Sequence, residues 1–239
     1  MKTDTPHPEQ VSELTRGITL PLPAINEELL RVIVETLAKA WAELLTRHTN
    51  LLGQDEPAIT ALMEARLNTL RNEEPLWEML VSAAIRGREM ISYDGSHLEK
   101  RPDLSLLLTE ARHPNFPLII ECKLIDAKTK PVRLYCNDGL ARFINGEYAW
   151  YDQQAVMLAY VRDTSTIATS LMPHLGKHRN KETDPFASEQ LPEAIGTTDL
   201  DLARSKHGRN FRYIGSRHYA PGPIVVWHLW AFSFDAETA

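Results

Sequence analysis

The sequence predicts an α/β protein in which helices flank a mixed central sheet. Apolar side chains recur at helical spacing between residues 26 and 70, and two leucine- and isoleucine-rich runs near the middle are separated by a turn-forming stretch. Short apolar runs of strand length lie at 155–161 and 223–234. With 239 residues, 43% hydrophobic and 24% charged, the chain has the composition of a globular protein and the length of one large domain. The expected organisation is a polar lead-in over 1–24 and a single domain over 25–239. That domain comprises a helical extension at 25–50, a core at about 51–161 and a C-terminal elaboration at 162–239.

The lead-in carries Pro6, Pro8, Pro21 and Pro23, which disfavour helix, and is expected to be extended. From Asn26, a natural N-cap, Leu30, Ile33, Val34, Leu37, Trp41, Leu44 and Leu45 form one helical stripe. A second helix is predicted to begin at Asp55 or Glu56, with Pro57 in its first turn and Ile59, Leu62, Met63, Leu67 and Leu70 on one side. Residues 103–108 and 118–124 read as two strands of a hairpin, with His113-Pro-Asn-Phe-Pro117 in the turn. Asp138-Gly139 is expected to open a helix running to about Tyr151, and residues 155–161 fit a buried strand or a short buried helix equally well. Asp163 is the expected cap of a helix containing Ile167, Leu171 and Leu175. Residues 176–212 read as irregular, and a strand closes the chain from Pro223.

The 26 basic and 32 acidic residues give a net charge of -6, which argues against coating of nucleic acid by sheer charge but not against a local basic groove. The acidic excess lies in the first 100 residues. Residues 204–217 carry Arg204, Lys206, Arg209, Arg212 and Arg217 without an acid, which makes them a candidate phosphate-facing loop. Cys122 and Cys136 are too few for a disulfide framework, and a reducing, cytoplasmic setting is expected. Asp4 and Glu9 stand where a secretory signal would be apolar, and no run reaches the length of a membrane span.

Nucleotide-binding and serine-hydrolase signatures are absent. His174 and His178 have the spacing of helical zinc ligands but no adjacent Glu or Cys pair completes a site, and Trp227 and Trp230 read as core or interface. The chemistry is concentrated elsewhere. Side chains alternate along a strand, so Glu121 and Lys123 share a face opposite to Leu118, Ile120, Cys122 and Leu124. A carboxylate and an ammonium on an otherwise apolar strand need partners or a cleft. If Asp103, at the start of the neighbouring strand, lies opposite, its carboxylate and that of Glu121 can share a hard cation with the Cys122 backbone carbonyl, Lys123 standing alongside.

Pro102-Asp103, a hairpin, and an apolar strand ending Glu121-Cys-Lys123 together resemble the PD-(D/E)xK nuclease superfamily. The resemblance covers roughly residues 51–161 and implies a restriction-endonuclease-like αβββαβ core. It implies Asp103 and Glu121 as metal ligands, Lys123 as catalytic lysine, and Mg²⁺ or Mn²⁺ as cofactor. An additional acid on the preceding helix is common there; Glu56 and Glu64 compete for that role, with Glu56 preferred as the acid of the helix start. A glutamine after the core strands, Gln153 or Gln154, would orient water or substrate, although Tyr160 departs from the spacing of the recombination branch. The phrases Gly139-Leu-Ala-Arg-Phe-Ile-Asn-Gly-Glu-Tyr148 and Ser216-Arg-His218 are similar to stand-alone nuclease-like proteins of bacterial phage defence, which makes Arg142 and His218 candidate phosphate or substrate contacts.

The expected function is metal-dependent endonucleolytic hydrolysis of DNA, in defence against foreign DNA. The alternative is a non-catalytic module binding DNA or a protein partner within a defence or recombination complex. A homodimer would supply two active sites for two strands.

Overall fold

The computed structural model describes residues 7–109, 112–196, 200–214 and 220–232. Seven strands form one mixed sheet in the order β1-β2-β3-β4-β7-β6-β5. β1 (Val81–Arg86), β2 (Leu104–Leu108) and β3 (Leu118–Ile125) run antiparallel in succession, and β3, β4 (Gln154–Val161) and β7 (Ile224–Phe232) are parallel. β7, β6 (Asp201–His207) and β5 (Ser188–Ala194) complete the sheet antiparallel. The α/β class with helices on both faces of a mixed sheet is as expected.

Helix α2 (Glu27–Arg47) starts where the Asn26 side chain accepts the Glu28 N–H at 2.8 Å. Helix α3 (Glu56–Leu70) starts where Asp55 accepts from Ala58 N at 3.0 Å, with Pro57 in the first turn. Both helices bury their apolar stripes with Leu118, Ile120, Cys122 and Leu124 of β3, in one core layer. The opposite layer contains Ile119 and Ile125, so β3 alternates between the two layers as its sequence requires. There the chain runs through α5 (Val132–Tyr135), a π-helical turn (Cys136–Leu140) and α6 (Ala141–Ile144). After β4 a second π turn (Ile167–Leu171) leads into α7 (Met172–Arg179). β4 is a strand, buried at every position between β3 and β7. Among the described residues no helix is long and apolar enough to cross a membrane, and both cysteines are free and buried.

Four expectations about elements are corrected. The lead-in holds a helix, α1 (Pro8–Leu14), whose Val11 is buried in the second layer together with Leu22; Leu22 N also donates to the Tyr151 carbonyl at 2.8 Å. Pro8 sits in the first turn, where a missing N–H costs nothing. Residues 176–212 contain β5 and β6. Their alternation is disguised because inward positions of β6 hold Ser205 and His207 and outward ones Arg204 and Lys206, while β5 is an edge strand bearing Pro192. The helix expected from Asp138 begins at Val132 and ends at Ile144, where Gly146, with φ +74°, turns the chain away. Thr166, not Asp163, caps the later helix through reciprocal bonds with Thr169; Asp163 instead accepts from Ala127 N and Ser165 N. Short α4 (Pro75–Leu80) and strand β1 precede the hairpin.

Candidate active site

The site grows out of an unfinished edge. β2 pairs with β3 only from Leu104↔Ile120 to Leu106↔Leu118, so from Glu121 onward β3 has no strand beside it on that flank. Exposed strand edges must satisfy their amides by other means. Asp103 Oδ2 accepts the Cys122 N–H at 2.8 Å, and Glu56 Oε2 accepts the Leu124 N–H at 2.8 Å. Two carboxylates, one from the start of β2 and one from the first turn of α3, thus take the place of a partner strand.

Glu121 and Lys123 project from the other face of β3, beneath α5 and α6. Glu121 is fully buried, and its Oε1 accepts from Lys123 Nζ at 2.8 Å and from an Arg142 guanidinium nitrogen at 2.9 Å. The same Arg142 nitrogen donates to the Tyr148 hydroxyl at 2.9 Å, which in turn donates to the Arg101 carbonyl at 3.0 Å. The guanidinium carbon lies 5.5 Å from the Tyr148 ring centre, within cation–π range. Lys123 Nζ also donates to the Cys122 carbonyl at 2.8 Å and lies 3.4 Å from both Glu56 Oε1 and Asp103 Oδ2. One ammonium is therefore shared by three carboxylates and a carbonyl. Gly139, in the π turn, permits this packing: a Cβ there would meet Met157 Cε at 2.7 Å and Lys123 Cε at 3.5 Å.

Burial, joined by the Asp103 charge, raises the Glu121 carboxyl to about 7 against the pull of Lys123 and Arg142. Burial opposes the charge on Lys123, but Glu121, Asp103 and Glu56 outweigh it and hold the ammonium above its ordinary value. Arg142 is likewise raised, burial being overcome chiefly by Glu121. Among the described residues Glu121 Oε2, which is buried, has no hydrogen-bond partner. The donors available to a cation are hard oxygens: Glu56, Asp103, Glu121 and the Cys122 carbonyl. Together with the orphan Oε2, this set fits Mg²⁺ or Mn²⁺. Among the described residues no three acidic, histidine or cysteine side chains stand ready-spaced around a common metal position, because each carboxylate here approaches the Lys123 ammonium instead.

Asp103, Glu121, Lys123, Glu56, Cys122 and Arg142, six residues singled out from the sequence, thus meet in one place. Others do not. Glu64, the competitor of Glu56, accepts the Arg86 N–H at 2.8 Å beside β1. Gln154 is buried, with Oε1 accepting from Ile25 N at 2.6 Å and Nε2 donating to Ile25 O at 3.1 Å, so both ends of its amide serve the backbone. Gln153 donates to the Leu22 carbonyl at 2.7 Å.

The expected phosphate-facing loop is not one surface. Arg209 is buried and donates to the carbonyls of Gly222 and Pro221 at 2.8 and 2.7 Å, and burial lowers it to about 10. Arg204 pairs with Glu27 and Lys206 with Glu189, whereas Arg212 is exposed. Arg217 and His218 lie outside the described residues. His174 and His178 face each other on α7 with ring centres 4.8 Å apart, and Trp227 and Trp230 are buried in the sheet.

Sequence reasoning missed Tyr148, although it ends a phrase already singled out. It also missed the exposed cations Lys128, Lys130, Arg133, Lys177, Arg179 and Lys181. Their signal was local: Lys-Thr-Lys-Pro-Val-Arg shortly after the strand that carries Glu121 and Lys123, and Lys-His-Arg-Asn-Lys at a helix end. Comparison of the chain with protein-family models, with curated proteins and with solved structures yields no match.

Proposed function

We propose that this chain is a metal-dependent nuclease that hydrolyses DNA phosphodiester bonds through the cluster of Asp103, Glu121, Lys123 and Glu56. The observation that carries the proposal is the convergence of three carboxylates and the Cys122 carbonyl on one lysine, beside a buried carboxylate oxygen with no partner. Buried charge assembled in this way is costly and is found where chemistry needs it. The order α3, β1, β2, β3, α5–α6, β4, with the short α4 inserted between α3 and β1, supports a restriction-endonuclease-like αβββαβ core over Glu56 to Val161. Asp103 at the mouth of β2 and Glu121-Cys-Lys123 on β3 support the PD-(D/E)xK resemblance.

Asp103, Glu121, Glu56 and the Cys122 carbonyl would hold Mg²⁺ or Mn²⁺, which when bound supplies Lewis acidity and charge neutralisation at the phosphate. The chain's own residues supply the remainder. Lys123, in reach of all three carboxylates, acts as a charged donor toward a phosphate oxygen. Arg142, fixed between Glu121 and the Tyr148 ring, holds Glu121 in its orientation.

A polyanionic substrate is supported by the charge distribution. Many basic side chains are paired with acids, as in Lys39–Glu74, Arg66–Glu73, Lys100–Glu147 and Arg101–Glu89. Among the described residues, the six exposed cations of 128–133 and 177–181 have no carboxylate partner. Lys128, Lys130 and Arg133 follow the C-terminal end of β3, the side on which open α/β sheets bind ligands, whereas α7 runs back across the sheet and leaves Lys177, Arg179 and Lys181 beside the start of β5, near the N-terminal ends of β4 and β7.

Purified protein incubated with plasmid DNA and Mg²⁺ or Mn²⁺ tests the proposal. Cutting is expected in wild type and lost in both Lys123→Ala and Asp103→Ala. DNA binding without cutting under every metal condition would instead favour a non-catalytic nuclease-like module.

A further inference from the structure

One turn beyond Arg142, the end of α6 opens into a hollow of about 260 Å³ lined by Tyr93, Ile144, Asn145, Asn210 and Phe211. Its construction is specific. Tyr93 stacks on Phe211, with ring centres 4.5 Å apart and planes 27° apart, and Ile144 supplies a buried apolar floor. Gly146 stands behind the two rings: it has φ +74°, and a Cβ there would meet Phe211 Cε1 at 2.7 Å and Tyr93 Cδ1 at 2.8 Å. Only glycine lets both rings close on the helix end. Asn145 and Asn210 are exposed, and the carboxamide of neither makes a hydrogen bond to any described residue. The hollow is also tied to the catalytic cluster, because the amides of Glu147 and Tyr148 donate to the Arg142 carbonyl at 2.9 and 3.4 Å. Asn145, the C-cap of α6, follows Arg142 by three residues.

An aromatic surface, an apolar floor and two unengaged carboxamides match the needs of a nucleobase. The ring stacks, and each carboxamide offers adjacent donor and acceptor groups of the kind that pair with the N6 and N7 edge of adenine. We propose that this hollow takes up a purine base, adenine by preference, from a single-stranded or unstacked nucleotide flanking the phosphate held at the catalytic cluster. The proposal rests on the nuclease reading for its location, but base binding is measurable without cleavage.

The test uses the full chain in EDTA, so that no cutting occurs, with three fluorescein-labelled hexanucleotides of equal charge: oligo-dA, oligo-dT and an abasic hexamer. Fluorescence anisotropy is expected to give oligo-dA a dissociation constant at least about 10-fold below that of the abasic strand, with oligo-dT between them. In Asn145→Ala/Asn210→Ala the oligo-dA advantage is expected to fall about 10-fold while abasic binding is unchanged, which also reports that the variant is folded. A Tyr93→Leu variant is expected to weaken both base-bearing strands and leave the abasic strand alone. Equal affinity for oligo-dA and the abasic strand, an unchanged ratio in the double variant, or no binding of any hexamer overturns the proposal. Plasmid cleavage in Mg²⁺ is scored separately. Adenine preference without cutting removes the nuclease reading and keeps the hollow, whereas cutting without base preference does the reverse.

Discussion

Two polar assemblies lie on the same face of the sheet, and they are built on opposite rules. At the open flank of β3, Glu121, Lys123 and Arg142 are charged, crowded and incompletely satisfied. Over β7 and β6, two and three strands away, Tyr135, His228, Ser205 and His207 form a closed chain in which every group is used. His207 Nδ1 lies 2.7 Å from the Phe186 carbonyl, so it carries the proton and its Nε2 accepts from Ser205 at 2.7 Å. Ser205 Oγ then receives His228 Nε2–H at 2.7 Å, and His228 Nδ1 accepts from Tyr135 at 2.8 Å. The hydrogen bonds run in one direction through neutral side chains. Buried polar groups that complete their partners rigidify and specify a fold, whereas one left short, such as Glu121 Oε2, calls for an explanation of its own.

The contrast can be broken most severely at the open assembly. Glu121→Gln keeps the shape but not the charge, and about a 100- to 1000-fold loss of plasmid cleavage is expected, with the circular dichroism spectrum unchanged. At the closed assembly the effect falls on stability instead. Ser205→Ala leaves two buried imidazole nitrogens unpaired, and urea unfolding is expected to report a loss of about 2–4 kcal/mol with cleavage per folded molecule retained.

The closed chain also sets a pH dependence. Burial, reinforced by the neighbouring imidazole, lowers His228 to about 3; burial lowers His207 to about 4 although the Phe186 carbonyl opposes it. Their stabilisation is complete above the unfolded value of about 6.5 and is lost as the pH falls toward 4 and 3. Between pH 7 and pH 5 this amounts to about 2 kcal/mol for each histidine. Asp152, raised by burial to about 7 against Arg112, acts in the opposite sense over the same range. The pH slope of His228→Phe, compared with wild type, isolates the histidine contribution, and a slope unchanged by the substitution would refute it.

Weaker effects sharpen the boundary of the open region. Lys128→Ala/Lys130→Ala is expected to lower DNA affinity several-fold and to reduce the salt dependence of binding by about two phosphate contacts, read from affinities at several salt concentrations. Glu64→Ala is expected to change cleavage less than about 2-fold, whereas Glu56→Ala should cost 10-fold or more.

Legibility in the sequence followed the same division. The hairpin, the two long helices and the convergence of Asp103, Glu121 and Lys123 could be read because their signals are local: periodicity, caps and strand parity. β5 and β6 were missed because Ser205 and His207 occupy inward positions that a hydrophobic pattern leaves blank; only the distant partners Tyr135 and His228 make them core. The hydrogen bonds of Gln154 and Arg209 were hidden for a related reason. Composition advertises free amides and cations, but their hydrogen bonds go to Ile25, Gly222 and Pro221, which are remote in the chain and invisible to spacing. Glu56 prevailed over Glu64 through its reach to the Leu124 amide, a register that no helical pattern encodes.

The carboxylates that finish the β3 flank carry a liability as well as a role. Removing Asp103 or Glu56 uncovers a main-chain amide on a strand rich in leucine and isoleucine, and such a seam invites a strand from another molecule. Variants made at these two positions should therefore be the ones most prone to self-association.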